Sequence, residues 1–241
     1  MIHLTIRVPG WEARLSVLRV SIFEVGLRVE IALGVKMRSI ILIVVYKSLL
    51  LFGAPGSGKG TQGKIIGTIP GFFHCACGDV FRAVDIRSEF GKAFLQYSSK
   101  GQLVPDDITI GLWSSQIDGM VNAGRFKPDI DFLVLDGIPR NVNQAKILSA
   151  KLDVHRVFHL HCPDKAKVYD RLQRRALKEN RLDDINEEVI ERRLKVYEEE
   201  TKPVLDFYGP KLISTVNTDQ WPYQVLRDIL NDIEHYREPV E

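Results

Sequence analysis

Residues 48–62 read Ser48-Leu49-Leu50-Leu51-Phe52-Gly53-Ala54-Pro55-Gly56-Ser57-Gly58-Lys59-Gly60-Thr61-Gln62, a short apolar run that leads directly into a glycine-rich segment. This order predicts a buried strand, a loop and the start of a helix. Such glycines let a loop turn its backbone amides toward an anion, and the helix N-terminus and Lys59 add positive charge. The stretch therefore predicts a phosphate-binding loop, although Gly60 stands where the strict motif has Ser or Thr, and Thr61 follows it.

The composition is that of an ordinary globular protein. The chain has 241 residues, of which 45% are hydrophobic, a length that favours one large domain with insertions. Its 33 Lys and Arg residues nearly balance its 31 Asp and Glu residues, which argues against a dedicated nucleic-acid binder. The 3 cysteines form no Cys-x-x-Cys pair, so the sequence favours a reducing compartment.

Residues 1–46 differ from the rest of the chain. Their arginines are interleaved with glutamates, unlike a transit peptide, and the apolar run Ile40 to Tyr46 is too short to span a bilayer. We expect an N-terminal extension of unknown role, either an added edge strand or helix or upstream sequence before a true start at Met37, which we favour. The main domain is then residues 47–241.

The apolar runs beyond the loop predict a parallel sheet with helices on both faces. Asp136 ends one of these runs, at the carboxyl end of a buried strand, where a carboxylate can hold Mg²⁺ through water. Helical spacing of apolar residues predicts a last helix over Tyr223 to Tyr236. The predicted strands are Lys47 to Phe52, a strand near Gly71 to His74, Phe132 to Leu135, Arg156 to His161 and Leu212 to Val216.

Four motifs in order resemble those of the adenylate kinases, within the nucleoside monophosphate kinase family, in the form with a short lid. They are the loop itself, Gly78 to Arg82 with Gly101 to Asp106, Leu135 to Arg140 with Gln144, and the segment from Arg171 to Leu194. The resemblance covers about residues 47 to 236. It implies an α/β fold of the P-loop three-layer sandwich type, with a parallel sheet and two mobile insertions. The insertions are a monophosphate-binding one near residues 76–104 and a short lid near residues 174–184.

The resemblance also implies a reaction and a set of site residues. The reaction is the reversible, Mg²⁺-dependent transfer of a phosphoryl group from ATP to AMP, giving two ADP. Lys59, Arg140, Arg175, Arg181 and Arg193 would be catalytic, and Asp136 would hold Mg²⁺ through water. ATP would contact Gly53, Ala54, Pro55, Gly56, Ser57, Gly58, Lys59, Gly60, Thr61, Arg171 and Arg175. AMP would contact Cys77, Arg82, Val104, Gly137, Arg140, Gln144, Arg181 and Arg193.

Two features leave the acceptor base open. Gln144 resembles the glutamine that reads adenine in this family, which favours AMP, because its amide can both donate and accept a hydrogen bond. Ala76-Cys77 stands where the family has Ser-Thr, and Asn141 resembles the branch that uses UMP or CMP. Other hypotheses are a catalytically silent nucleotide-binding module and a small-molecule kinase of the shikimate type.

The remaining polar residues receive structural interpretations. We assign Arg174 and Arg192 to solvated helix faces, and either Arg192 or Arg193 could face the site. We expect His159 and His161 to be structural, and Cys75 and Cys77 to line the pocket. No cysteine lies between Arg171 and Arg193, so we expect a lid without zinc.

The family resemblance implies a cytoplasmic monomer that binds small-molecule nucleotides, and that binds neither nucleic acid nor membranes.

Overall fold

The computed structural model describes residues 19–23, 26–30, 44–179 and 186–234. The chain divides into two units, residues 1–45 and residues 46–241. In the first unit, strands β1 (Arg19–Phe23) and β2 (Gly26–Glu30) form an antiparallel hairpin. The second unit contains the glycine-rich loop and all of the candidate site residues that are described.

The second unit is built on a parallel sheet of five strands, as the sequence predicted. Its order is β4-β5-β3-β6-β7, and every neighbouring pair is parallel. The carboxyl ends of all five strands therefore lie at one edge of the sheet, where ligands bind in open α/β folds. The strands are β3 (Tyr46–Phe52), β4 (Phe72–Ala76), β5 (Phe132–Asp136), β6 (Leu152–His161) and β7 (Ile213–Asn217).

Helices cover both faces of the sheet. They are α1 (Lys59–Ile66), α2 (Cys77–Ala83), α3 (Glu89–Ser98), α4 (Asp106–Asn122), α5 (Val142–Leu148), α6 (Lys165–Glu179), α7 (Glu187–Val196), α8 (Val204–Tyr208) and α9 (Pro222–Glu234), with a π-helical turn at Tyr197–Thr201.

The central strand shows how the sheet divides the core. Along β3, Leu50 and Phe52 join an apolar cluster with residues of α4, α5 and α8, whereas Leu49 and Leu51 join a second cluster with residues of α1 and α9. Successive side chains of a strand point to opposite faces, so this uninterrupted apolar run serves two cores at once. The result is the three-layer sandwich predicted from the sequence.

Several boundaries differ from the sequence prediction. β6 begins at Leu152, four residues before Arg156, because residues 152–154 pair with β3 before a register shift that leaves His155 unpaired in the ladder. The predicted lid segment 174–184 is helical through Glu179 as part of α6, and residues 180–185 lie outside the described residues. The predicted end of the last helix at Tyr236 also lies outside them.

Two glycines let α1 pack closely on β4. A Cβ atom on Gly63 would lie 2.3 Å from Nε2 of His74, and a Cβ on Gly67 would lie 2.6 Å from Cβ of His74. Glycine weakens a helix, but at these positions its lack of a side chain leaves room for the imidazole. This contact holds the helix that follows the glycine-rich loop against the sheet.

Candidate active site

The glycine-rich loop connects β3 to α1 and has backbone geometry that suits glycine. Gly53 has φ 144° and Gly58, the residue before α1, has φ 98°, values that a residue with a Cβ rarely adopts. At Gly53 a Cβ would also lie 2.3 Å from the carbonyl oxygen of Leu160. The loop therefore passes tightly over the sheet edge and brings the N-terminus of α1 to the end of the central strand.

Lys59 bridges the loop from within. Its Nζ donates hydrogen bonds to the carbonyl oxygens of Gly53 (2.7 Å) and Ala54 (3.0 Å). Burial lowers the pKa of Lys59 to about 8; Asp136 opposes this shift, and the positive charges of the arginines at positions 140, 175 and 193 add to it. Such an ammonium group is held close to positive neighbours and is stabilised when a phosphate arrives.

One cleft of about 1060 Å³ runs along the carboxyl ends of the strands. Arg171, Thr218 and Trp221 line its β7 side, and Arg82, Phe94 and Leu103 line its β4 side, with the glycine-rich loop between them. The cleft brings together most of the residues singled out from the sequence. These are Gly53, Pro55, Gly56, Ser57, Gly58, Lys59, Gly60, Thr61, Arg82, Asp136, Gly137, Arg140, Arg171, Arg175 and Arg193.

Asp136 is the carboxylate beside the loop. It ends β5 opposite Leu51 of β3, and a Cβ on Gly60 would lie 3.4 Å from its Oδ2 atom. Among the described residues there is no group of three or more Asp, Glu, His or Cys side chains that could hold a metal. A single carboxylate fits Mg²⁺, which keeps much of its water and is held mainly by substrate phosphates. Asp136 lines the cleft beside the loop, where the donor phosphates would lie.

Internal contacts hold the arginines on the β4 side. Arg82 pairs with Asp79 one turn earlier in α2. The Nε atom of Arg140 donates to the carbonyl oxygen of Gly137 (2.9 Å), close to the cis peptide between Ile138 and Pro139. Planar guanidinium groups arranged in this way suit phosphate oxygens.

Helix α7 directs its two adjacent arginines to different places. Arg193 lines the cleft, whereas Arg192 does not and donates to the carbonyl oxygen of Lys100 (3.2 Å). Arg174, which the sequence assigned to a solvated face, is 79% exposed and pairs with Asp170, but it also lies at the rim of the cleft. Arg181 lies outside the described residues.

The β7 side contains residues that sequence reasoning missed. Arg171 donates from Nη2 to the carbonyl oxygen of Thr218 (2.8 Å). The hydroxyl of Thr218 and the Oε1 atom of Gln62 are buried without a hydrogen-bond partner, and both residues line the cleft. Trp221 stands at the rim with 69% of its surface exposed. Gln62 and Arg171 belong to segments that the sequence had already singled out, but no motif marks Thr218 and Trp221, because the loop after β7 comes to the cleft only in the folded chain.

Four of the predicted contact residues do not line the cleft. Cys77 is buried in the apolar core, so the expectation that Cys75 and Cys77 line the pocket was wrong; Ala76 and Gly78 do so instead. Burial raises the pKa of Cys75 to about 12 and that of Cys77 to about 11. The other three predicted contact residues that do not line the cleft are Ala54, Val104 and Gln144.

The two strand histidines lie near each other without a third ligand among the described residues. His159 Nε2 and the hydroxyl of Tyr197 are 3.1 Å apart, and the rings of His159 and His161 are 5.8 Å apart. Tyr197 begins the π-helical turn and lines the cleft. His159 thus links β6 to the segment after α7.

A parallel sheet whose central strand enters a glycine-rich loop, with a lysine and several arginines around one cleft, defines an α/β phosphotransferase of the P-loop class. The family model described as adenylate kinase matches residues 51–213. The chain belongs to the adenylate kinase family, whose members are nucleoside monophosphate kinases.

Curated relatives named adenylate kinase agree with this assignment. The protein of Bacteroides thetaiotaomicron is 38% identical over 167 residues, which are 67% of this chain and 84% of the relative. That of a Cyanothece species is 38% identical over 180 residues, or 71% of this chain and 87% of the relative. That of Mycoplasma pneumoniae is 30% identical over 220 residues, or 80% of this chain and all of the relative. Within the described part of the chain, no helix has the length and apolar character needed to cross a membrane.

Proposed function

We propose that this protein catalyses the reversible, Mg²⁺-dependent transfer of a phosphoryl group from ATP to AMP, giving two ADP. One observation carries the proposal. The glycine-rich loop with Lys59 shares one cleft with Arg82 and Arg140 after β4 and β5, and with Arg175 and Arg193 from α6 and α7. A cleft that spans the whole sheet edge has room for two nucleotides whose phosphates meet at the loop.

The position of each residue in the cleft determines which nucleotide it binds in this proposal. The loop amides and Lys59 bind the phosphates of ATP, and Arg171 binds the rest of that nucleotide on the β7 side. Arg82 and Arg140 hold the phosphate of AMP on the β4 side, in line with the donor. Arg175 and Arg193 lie over the transferring group, whose charge spreads over its oxygens in the transition state. Asp136 would hold Mg²⁺ through water, and the ion would supply positive charge to the donor phosphates.

The residues after Arg140 bear on the acceptor base. Asn141, the residue that resembles the UMP and CMP branch, caps α5 by accepting from the backbone N–H of Gln144, and it donates to Asp106. Both polar groups of its amide thus have partners within the protein, and so do those of Gln144. The assignment of Gln144 as the group that reads the base, with adenine as that base, therefore rests on the family resemblance.

The alternatives predict different behaviour. A kinase for UMP or CMP would keep the mechanism and change the acceptor. A silent module would bind ATP without acceptor-dependent turnover, but Arg82, Arg140, Arg175 and Arg193 all line the cleft, an arrangement that binding alone does not require. We further propose a monomer in the cytoplasm, no binding of nucleic acid or membranes, no zinc, and a mobile cover formed by residues 76–104; the second cover predicted from the sequence, residues 174–184, lies partly outside the described residues.

Replacing Lys59 tests the proposal. Lys59→Met is expected to remove nearly all AMP-dependent ADP formation while the thermal unfolding midpoint stays close to that of the wild type. Lys47→Met is the matched control, because Lys47 is exposed on β3, the strand that precedes the loop, and does not line the cleft. A Lys59→Met variant with a near-normal rate would contradict the assignment of the loop.

A further inference from the structure

The carboxylate of Asp106 gathers three side-chain amides from the start of α5. Its Oδ1 atom accepts from Asn141 Nδ2 and from Gln144 Nε2, both at 2.8 Å. Its Oδ2 atom accepts from Asn143 Nδ2 at 2.7 Å. Burial raises the pKa of Asp106, but these hydrogen bonds outweigh it and hold the pKa below its usual value. Asp106 is thus a charged acceptor that joins α4 to α5.

The Gln144 side chain is fixed at both ends of its amide. Its Oε1 atom accepts from the backbone N–H of Arg140 (2.8 Å), while its Nε2 atom donates to Asp106. Reversing the amide would place the NH₂ group against the N–H of Arg140, and the carbonyl oxygen against the carboxylate. Gln144 is only 1% exposed, so water cannot replace the lost hydrogen bonds. One orientation of the amide is therefore strongly preferred.

The orientation matters because a carboxamide can pair with a base edge in two ways. It has two N–H groups and two lone pairs, and the contacts above use one of each. The remaining N–H and lone pair match a ring nitrogen beside an amino group, as in adenine. A reversed amide would match an oxo group beside a ring N–H, as in hypoxanthine or uracil. The side chain that reads the base is selective only if it cannot turn over.

We propose that Asp106 is a positioning residue that fixes the orientation of the Gln144 amide and thereby makes the acceptor site select a 6-amino purine over a 6-oxo purine. This inference rests on the proposed function, in which Gln144 reads the acceptor base. The spare groups of Gln144 are buried in this structure, so the incoming base displaces what covers them. Asp106 keeps the donor and the acceptor in the correct order during that exchange.

The test compares AMP with IMP, which have the same size and differ only at this edge of the base. The wild type is expected to prefer AMP. In Asp106→Ala, the ratio of kcat/KM for AMP to that for IMP should fall by about tenfold or more, mainly through a higher KM for AMP, since a site loses selectivity when its hydrogen-bonding groups are free to reverse. Asp106→Asn should largely restore the ratio, because its oxygen can replace Oδ1 and the exposed Asn143 can turn its amide.

Two further variants separate positioning from a general loss of structure. Asn143→Ala removes a hydrogen bond to the other oxygen of the same carboxylate and should leave the ratio unchanged. Gln144→Ala should lower the ratio at least as much as Asp106→Ala, and the double variant should fall no further, because both changes act through one amide. If Asp106→Ala does not fold, Asp106→Ser is measured in its place, since its hydroxyl is too short to reach Gln144.

The outcomes distinguish this inference from the proposed function. An unchanged ratio in folded Asp106→Ala or Asp106→Ser, or additive losses with Gln144→Ala, would overturn the role of Asp106. A normal ratio in Gln144→Ala would instead remove Gln144 as the reader of the base, and with it the role of Asp106. Absence of ADP formation by the wild type with any monophosphate would show that the proposed function itself had failed.

Discussion

Substituting Gly63 of α1 and Gly67, the residue that ends this helix, offers a quantitative test of the packing behind the glycine-rich loop. In an exposed helix, replacing glycine with alanine stabilises a protein by up to about 1 kcal/mol. At Gly63 the new Cβ would lie 2.3 Å from His74 Nε2, and at Gly67 it would lie 2.6 Å from His74 Cβ. Overpacking a core in this way costs about 1–3 kcal/mol. We therefore expect Gly63→Ala to destabilise the protein by about 1 kcal/mol after the helix gain is subtracted.

Gly67→Ala should cost more, about 2–3 kcal/mol, because the Cβ of His74 is fixed by the strand backbone and cannot rotate away. Gly111 provides the control: it lies within α4, and a Cβ there would meet nothing within 4 Å. Gly111→Ala should stabilise the protein by up to about 1 kcal/mol. Chemical denaturation of the full-length variants gives each change in the free energy of unfolding.

A second set of variants tests the cause of the loss. In a His74→Ala background the imidazole is gone, so Gly63→Ala should become neutral or stabilising, as Gly111→Ala is. The Cβ of residue 74 remains, so Gly67→Ala should stay destabilising. The reasoning is refuted if Gly63→Ala stabilises the wild type as much as Gly111→Ala does, or if His74→Ala relieves both losses equally.

Two further predictions concern ionisable groups. Since the pKa of Lys59 is lowered to about 8, binding of ATP with Mg²⁺ at pH 8 should take up about half a proton, and binding below pH 7 should take up almost none from this group, because the lysine is already charged. Calorimetry in buffers of different ionisation enthalpy measures this, and equal heats at pH 8 would contradict it. Cys75 and Cys77 are buried and their pKa values are raised, so a thiol reagent at pH 8 should modify only the half-buried Cys162 in the native protein, and all three cysteines after denaturation. Rapid native modification of Cys75 or Cys77 would show that this part of the core opens.

Much of the fold could be predicted from local pattern. The apolar run before Gly53 and the run ending at Asp136 are both buried strands, because neighbouring parallel strands covered on both faces are apolar throughout. The strand boundaries depend on contacts between strands and are harder to predict. β6 starts at Leu152, earlier than expected, because its first residues pair with β3, and nothing in their own sequence indicates that pairing.

The glycines within and at the end of α1 show what a local pattern misses. In the sequence, Gly63 and Gly67 only weaken a helix, and the reason for their presence is His74 on a strand that pairs elsewhere in the sheet. The direction of the Cys77 side chain also could not be predicted from the local sequence. Its place in the motif suggested the cleft, but the turn from β4 into α2 points it into the apolar core.

The candidate site was predicted best where a motif fixes the spacing. The loop follows β3, Asp136 ends β5 and Arg140 comes four residues later, so the sheet itself brings them together. Trp221 and Thr218 could not be found in this way, because the loop after β7 has no motif. The partner of Gln144 was also hidden, since Asp106 reaches it across 38 positions of sequence.

The most direct test of the central claim is ADP formation by the purified full-length chain with ATP and Mg²⁺. AMP, UMP, CMP, GMP, shikimate and no acceptor are offered in parallel. The account predicts rapid turnover with AMP, two ADP for each ATP consumed, and little with the other acceptors. Binding of ATP without acceptor-dependent turnover would contradict it, and preference for UMP or CMP would overturn the assignment of the acceptor base.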